Sequence, residues 1–261
     1  MLPKKMEQAL RFYTGDIDWA LKEGRDASFW GDRKGYGTLN ALFFPGIANE
    51  RARAAENKPL NPAFLAAPER LLGLCEDLIE SARLCASACE THTFRVEREE
   101  NFLQTLRAGH TVAFTSTSLS GFLGDYQDKK GLVLLEYTIP PRIPCVDVGQ
   151  ALVKYLKAAE QEVLLPPYLP LTFSKRPLLP AEEVLRDYDG QPPLAAYQIY
   201  VGSWLPAREI CTPNLDPKDA LAGQRVLCAL CAKNEPNPQD VVAYTRWKEI
   251  FCCQLRSRCH L

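Results

Sequence analysis

The chain has 261 residues, a length that allows one large domain or one domain with appendages. Hydrophobic residues make up 46% and charged residues 24% of it, as in an ordinary globular protein, and the net charge is −1. The charge predicts no nucleic-acid partner, the absence of a long apolar run predicts no membrane span, and the basic N-terminus lacks the apolar segment of a Sec signal.

Residues 1–90 are predicted to form a helical N-terminal lobe. A short helix is expected at 6–12 and a long one at 68–89, where Pro68 suits the first helical turn. The apolar residues of the long helix follow the helical period. They are Leu71, Leu72, Leu74, Cys75, Leu78, Ile79, Ala82 and Cys85.

The pattern changes to short strands near residue 91 and returns to helix near residue 206. The predicted strands and helices of the middle part and the tail follow in chain order. Strands are expected at 91–96, 112–117, 131–139, 160–165 and 194–201; helices are expected at 101–106, 217–221, 225–233 and 240–255. Gly109 is a plausible residue to end the first of these helices. Helical ends around a strand-rich middle predict an α+β fold with a core at 91–205 and a helical extension at 206–261.

Two glutamates stand beside a strand that ends in prolines. Glu160 and Glu162 precede the apolar run 163–165, and Pro166 and Pro167 follow it. Residues two apart in an extended strand point to the same face. The sequence therefore predicts two carboxylates side by side at the rim of a core, where burial and mutual repulsion tune them.

An arginine and a serine precede this pair. Arg95 follows the aromatic Phe94 in the strand predicted at 91–96, and Ser116 begins the Ser-Thr-Ser segment 116–118. In this order, and with apolar strands between, Arg, Ser-Thr-Ser and Glu-x-Glu resemble the Arg–Ser–Glu class of mono-ADP-ribosyltransferases, found among bacterial toxins and vertebrate ecto-enzymes. The resemblance covers about residues 90–205. It implies a split antiparallel β-sandwich core and NAD as co-substrate.

The resemblance also implies roles for individual residues. Glu162 would stabilise the oxocarbenium-like centre and hold the ribose hydroxyl of NAD, and Glu160 would orient or deprotonate the acceptor. Arg95 would bind the diphosphate of NAD, with Arg98 as its rival, although a surface salt bridge to Glu97 or Glu99 is the plainer interpretation of Arg98. Ser116 would support Glu162, with Thr117 and Ser118 supporting the strand.

Three aromatic residues are weaker candidates. By the same resemblance, Phe122 or Tyr126 in the loop 121–130 would stack on nicotinamide, although packing explains either equally well. Tyr155 would touch the acceptor protein, unless residues 148–159 form a helix that half buries it. The sequence departs from the family at Val96, where glycine is common, and this puts the detailed nicotinamide contacts in doubt.

The ten cysteines do not suggest a disulfide scaffold or a metal centre. Cys85 and Cys89 lie four apart in a predicted helix and are interpreted as small hydrophobic residues, which favours a reducing compartment. Cys228 and Cys231 form a C-x-x-C pair, but a zinc site needs a second pair of ligands, and the remaining candidates are badly spaced for it. These candidates are Cys252, Cys253, Cys259 and His260. We expect no metal.

The sequence leaves three functions open. The first is transfer of ADP-ribose from NAD to a protein side chain, with arginine favoured by the Glu-x-Glu pattern and threonine or another residue as the alternative. The second is hydrolysis of NAD at the same site, and the third is a degenerate binding module. The presence of Arg95, Ser116, Glu160 and Glu162 argues against the third. The protein is expected in the cytoplasm or delivered into a host cell as an effector.

Overall fold

The structure is a computed structural model. It describes residues 2–15, 35–120, 131–152, 161–183, 194–204 and 213–260. Its helices, in chain order, are α1 (Lys4–Thr14), α2 (Gly35–Ala41), α3 (Ala48–Ala55), α4 (Pro68–Leu84), α5 (Glu99–Ala108), α6 (Val148–Ala151), α7 (Pro180–Glu183), α8 (Pro217–Cys231) and α9 (Pro238–Cys259). A 3₁₀ turn spans Pro62–Ala66. Within these residues no helix is both long and apolar enough to cross a membrane.

Seven strands of the described chain form one hydrogen-bonded sheet. They are β1 (Thr91–Arg98), β2 (Thr115–Ser118), β3 (Leu132–Ile139), β4 (Val146–Asp147), β5 (Glu162–Leu165), β6 (Leu171–Lys175) and β7 (Ala195–Val201). Their order across the sheet is β4-β5-β2-β1-β3-β7-β6. The chain divides into two compact units, one of residues Met1–Glu80 with Pro206–Leu261 and one of Ser81–Leu205.

The first unit is helical and is built around aromatic residues of α9. Trp247 and Phe251 are fully buried, with ring centroids 5.4 Å apart. On α8, a Cβ added at Gly223 would lie 2.6 Å from the Tyr244 ring, so glycine is what allows the two helices to approach so closely. Lys248 donates to Glu50 at 2.8 Å in the same interior, which pairs two charges that would be costly to bury alone.

The second unit contains the sheet and packs its main apolar cluster on one face. Val163 and Leu165 of β5 lie in this cluster together with Leu135 of β3 and Ile199 of β7. Phe102 of α5 covers them. Because strands from both ends of the sheet contribute to one cluster, the sheet curves around a common core.

The two halves of the sheet meet at one point. β1 and β3 pair along their whole lengths, whereas β1 and β2 pair only through Phe94 and Ser118. The strands diverge on either side of that pair, so β4-β5-β2 and β1-β3-β7-β6 form two parts of a split sheet. The predicted α+β class is confirmed. One part of the prediction is corrected: β3 and β7 run parallel. They are joined by the long connection that a parallel pair requires, and β4, β5 and β6 lie on it.

Two corrections concern the predicted helices. The helix predicted at 68–89 ends at Leu84. Beyond it the Ser87 carbonyl accepts from Arg142 N at 2.7 Å, and its hydroxyl accepts from Cys89 N, so tertiary and turn hydrogen bonds replace the helical ones. Cys85 and Cys89 therefore do not share a helix face. The helices predicted at 217–221 and 225–233 are one helix, α8, which continues through Gly223.

Candidate active site

Ser116 and Glu162 are joined by a short hydrogen bond across two neighbouring strands. In the register of β2 and β5, Ser118 lies opposite Glu162 and Ser116 opposite Leu164. Ser116 is therefore the diagonal neighbour of Glu162 on the same face of the sheet. Its Oγ donates to Glu162 Oε1 at 2.6 Å, the length of a charge-assisted O–H···O bond.

The strand β5 holds Glu162 at the border of the core. Val163, Leu164 and Leu165 are each at most 1% exposed, and Glu162, which begins the strand, is 8% exposed. On the opposite face, Thr117 Oγ1 donates to Val163 O at 2.8 Å. A buried strand end thus carries a nearly buried carboxylate whose direction is set by a neighbouring hydroxyl.

The chain turns sharply immediately before Glu162. Gln161 has φ of 46°, in the left-handed region that non-glycine residues seldom adopt, and its carbonyl accepts from Leu119 N at 3.0 Å. The strand predicted at 160–165 therefore begins at Glu162. Two residues that flank Gln161 share a strand face only if Gln161 is extended. The premise that placed Glu160 and Glu162 on one face is therefore wrong, because Gln161 is not extended.

Arg95 lies beside Ser116 where the sheet is split. Its Nη1 donates to the Ser116 carbonyl at 2.6 Å. Its Nε and Nη2 donate to Glu97 Oε2 at 2.8 and 2.6 Å. A chain of hydrogen bonds thus links Arg95, Ser116 and Glu162. The guanidinium binds the backbone of Ser116, and the carboxylate binds its side chain.

Glu97 is fixed from two sides. Its Oε1 accepts from the backbone N of Arg98 at 2.9 Å and from Asn101 Nδ2 at 3.0 Å. Burial alone would raise the pKa of Glu97, but the charge of Arg95 and the hydrogen bonds from Asn101, Arg95 and Arg98 lower it below its ordinary value. Glu97 is therefore a carboxylate that stays ionised beside Arg95.

Arg98, the rival for the role of Arg95, lies on the surface. Its side chain is 40% exposed, and its Nη1 lies 3.7 Å from Glu100 Oε1. The salt bridge of Arg98 was expected with Glu97 or Glu99, and the structure instead places Glu100 beside it, while Glu97 binds the Arg95 side chain. Arg95 is the arginine whose side chain reaches Ser116.

Several predicted site residues lie outside the described residues. They are Glu160, Phe122, Tyr126 and Tyr155, and their roles stay predictions. Val96, which stands where the family commonly has glycine, is 5% exposed and packs with Leu132 and Leu134. Its side chain thus belongs to a second, smaller apolar cluster of the sheet.

The cysteine-rich tail is helical where it is described. Cys228 and Cys231 lie on α8, and Cys252, Cys253 and Cys259 lie on α9. Among the residues that the structure describes, no group of three or more His, Cys, Asp or Glu side chains is arranged to hold a metal ion. Cys75 is buried in the same helical unit, and burial raises the pKa of its thiol well above the ordinary value.

Glu97 was not among the predicted site residues. It was expected only as a possible salt-bridge partner of Arg98. The signal that would have found it is the strand period, because Arg95 and Glu97 are two apart in β1 and share a face.

Comparison with known proteins finds solved structures of low sequence identity. No family model and no curated protein matches the chain. Plx2a, an ADP-ribosyltransferase toxin from Paenibacillus larvae, is 14% identical, with 77% of this chain and 88% of that chain covered and a TM-score of 0.44. The C3 exoenzyme of Clostridium limosum is 13% identical, with 77% and 86% covered and a TM-score of 0.44. The ATR domain of Salmonella SpvB is 17% identical, with 77% and 100% covered and a TM-score of 0.41.

Proposed function

We propose that the chain is an NAD-dependent mono-ADP-ribosyltransferase that transfers ADP-ribose to a protein side chain. The observation that carries the proposal is the 2.6 Å hydrogen bond from Ser116 Oγ to Glu162 Oε1, beside the guanidinium of Arg95. The nearly buried carboxylate suits the positive charge that develops at the ribose C1′ of NAD. The guanidinium suits the negative diphosphate, and one serine links the two groups.

Glu162 acts on the bond that breaks. When the bond between the ribose C1′ and the nicotinamide nitrogen breaks, its electron pair leaves with nicotinamide and C1′ becomes an oxocarbenium-like centre. A carboxylate with little exposure to water stabilises that developing positive charge strongly, because few solvent dipoles screen it. Glu162, at 8% exposure, suits this role.

Ser116 orients Glu162. A carboxylate that accepts a hydrogen bond from a fixed hydroxyl has fewer accessible rotamers, so less ordering is needed when the transition state forms. Support for this role comes from the strand register, which makes the two residues diagonal neighbours.

Arg95 binds the diphosphate of NAD. A guanidinium presents parallel N–H groups that match the oxygens of a phosphate group, and it keeps its charge at every physiological pH. The Arg95 side chain is 27% exposed, so it is accessible to a ligand while remaining anchored to Ser116 and Glu97.

The acceptor side of the reaction depends on residues outside the described chain. We propose that Glu160 deprotonates or orients the acceptor group as it attacks C1′, and that Tyr155 contacts the acceptor protein. Phe122 or Tyr126 would cover nicotinamide. The Glu-x-Glu pattern favours arginine as the acceptor, with threonine or another side chain as the alternative.

The proposal is tested with NAD that carries a label in its adenylate part. The protein is incubated with this NAD and a cell lysate, and protein-bound label, free ADP-ribose and nicotinamide are measured. Label on a lysate protein, with nicotinamide released, supports the transferase. Nicotinamide release with only free ADP-ribose indicates an NAD glycohydrolase, and no nicotinamide release indicates a degenerate binding module.

A further inference from the structure

The two oxygens of the Glu97 carboxylate contact different partners. Oε2 accepts from Arg95 Nε and Nη2 at 2.8 and 2.6 Å. Oε1 accepts from Asn101 Nδ2 at 3.0 Å and from the backbone N of Arg98 at 2.9 Å. One oxygen is therefore anchored to the start of α5 and to the main chain, and the other holds the arginine.

We propose that Glu97 is a positioning residue, which orients the guanidinium of Arg95 for the diphosphate of NAD. The inference rests on the proposed role of Arg95 as the diphosphate ligand. Glu97 itself does not touch the substrate: it acts through the plane of the guanidinium.

The geometry fixes that plane. Nε and Nη2 lie on one edge of the guanidinium, and Glu97 binds this edge, while Nη1 reaches the Ser116 carbonyl at 2.6 Å. Bonds at both ends prevent rotation of the guanidinium about its Cδ–Nε bond. Since the Glu97 side chain is only 17% exposed and the Arg95 side chain 27%, water screens the pair less than it would screen a surface pair.

A free arginine side chain loses much rotamer entropy when it binds a ligand, and pre-orientation removes that cost from the binding step. Glu97→Gln removes the charge and one acceptor. The amide oxygen of the glutamine can face either Arg95 or the pair of Arg98 N and Asn101, but not both. Losing the orientation of one such side chain corresponds to a rise in the Kd for NAD of about 3–10-fold, with kcat changed much less.

The test compares NAD binding by calorimetry and steady-state kinetics in the full chain. Glu100→Gln is the matched control, because Glu100 lies in the same segment, carries the same charge and is 71% exposed. We expect Glu97→Gln to raise Kd and KM for NAD about 3–10-fold and Glu100→Gln to leave them unchanged. In an Arg95→Ala background, Glu97→Gln should add less than about 2-fold, because the two residues act as a unit.

A second variant covers the case in which Glu97→Gln fails to fold. Asn101→Ala keeps the carboxylate and removes one anchor of Oε1, and it should raise Kd by a smaller factor in the same direction. Unchanged Kd in both Glu97→Gln and Asn101→Ala overturns the positioning role. An equal effect of Glu97→Gln with and without Arg95 also overturns it. A wild-type chain that binds no NAD overturns the proposed function itself, and the positioning role with it.

Discussion

Ser116 Oγ donates a 2.6 Å hydrogen bond to Glu162 Oε1, although the two residues are 46 positions apart in the chain. The pairing of β2 with β5 brings them together, and the burial of β5 beyond Glu162 keeps the carboxylate from turning outward. The contact is therefore a product of strand register.

Removing the Ser116 hydroxyl should slow the reaction without weakening NAD binding. Hydrogen bonds to charged groups are worth about 1.5–3 kcal/mol, so Ser116→Ala should lower kcat about 10-fold or more while the Kd for NAD stays within about 2-fold. Ser174→Ala is the control, since Ser174 is an exposed serine on β6, at the other end of the sheet. Equal losses in both variants would contradict a specific role for Ser116.

The two neighbouring arginines should differ in their effect on NAD affinity. Arg95→Ala removes a guanidinium that contacts Ser116 and Glu97, whereas Arg98→Ala removes a side chain that is 40% exposed beside Glu100. Calorimetric titration with NAD should give a much higher Kd for Arg95→Ala. The opposite ranking would move the diphosphate role to Arg98.

The fold could be predicted from sequence better than the site. Strong apolar runs and helical periods predicted most of the core strands and the long helices, although not β6 or α3, and Gly109 does end α5 with φ of 68°. Periodicity could not show that Gln161 breaks the strand or that the helix α4 stops at Leu84, because tertiary hydrogen bonds decide both. The link between Arg95 and Ser116 was equally out of reach, since it depends on where the sheet splits.

Glu160 should separate the two activities. If it handles the acceptor, Glu160→Gln should abolish transfer to protein yet leave much of the slow hydrolysis of NAD by water, because bond breaking depends on Glu162. The products to measure are labelled protein and free ADP-ribose. Full transfer activity in the variant would show that the acceptor role assigned to Glu160 is wrong.

Stability should depend on pH through Arg176 and Glu182. Hydrogen bonds from Arg176 at 2.7 and 2.9 Å lower the pKa of Glu182, against the opposing effect of burial. A depressed folded-state pKa stabilises the protein above the unfolded pKa of about 4.3, and this contribution is lost as pH falls through the folded-state value.

Glu182→Gln should therefore lower the free energy of unfolding most at neutral pH, by about 1–2 kcal/mol on the scale of charged hydrogen bonds. The difference from wild type should shrink below about pH 4. Denaturant unfolding at several pH values measures it, with the exposed Glu100→Gln as control. A difference that is constant with pH would exclude an ionic contribution.

In the proposed reaction, the Glu162 carboxylate stabilises the charge that develops as NAD loses nicotinamide. This role is tested by the rate of nicotinamide release by Glu162→Gln, which keeps the size of the side chain and removes its charge. We expect a loss of about 10²–10³-fold in kcat, in hydrolysis and protein transfer alike, with NAD affinity nearly unchanged. A Glu162→Gln protein that releases nicotinamide at the wild-type rate would contradict it.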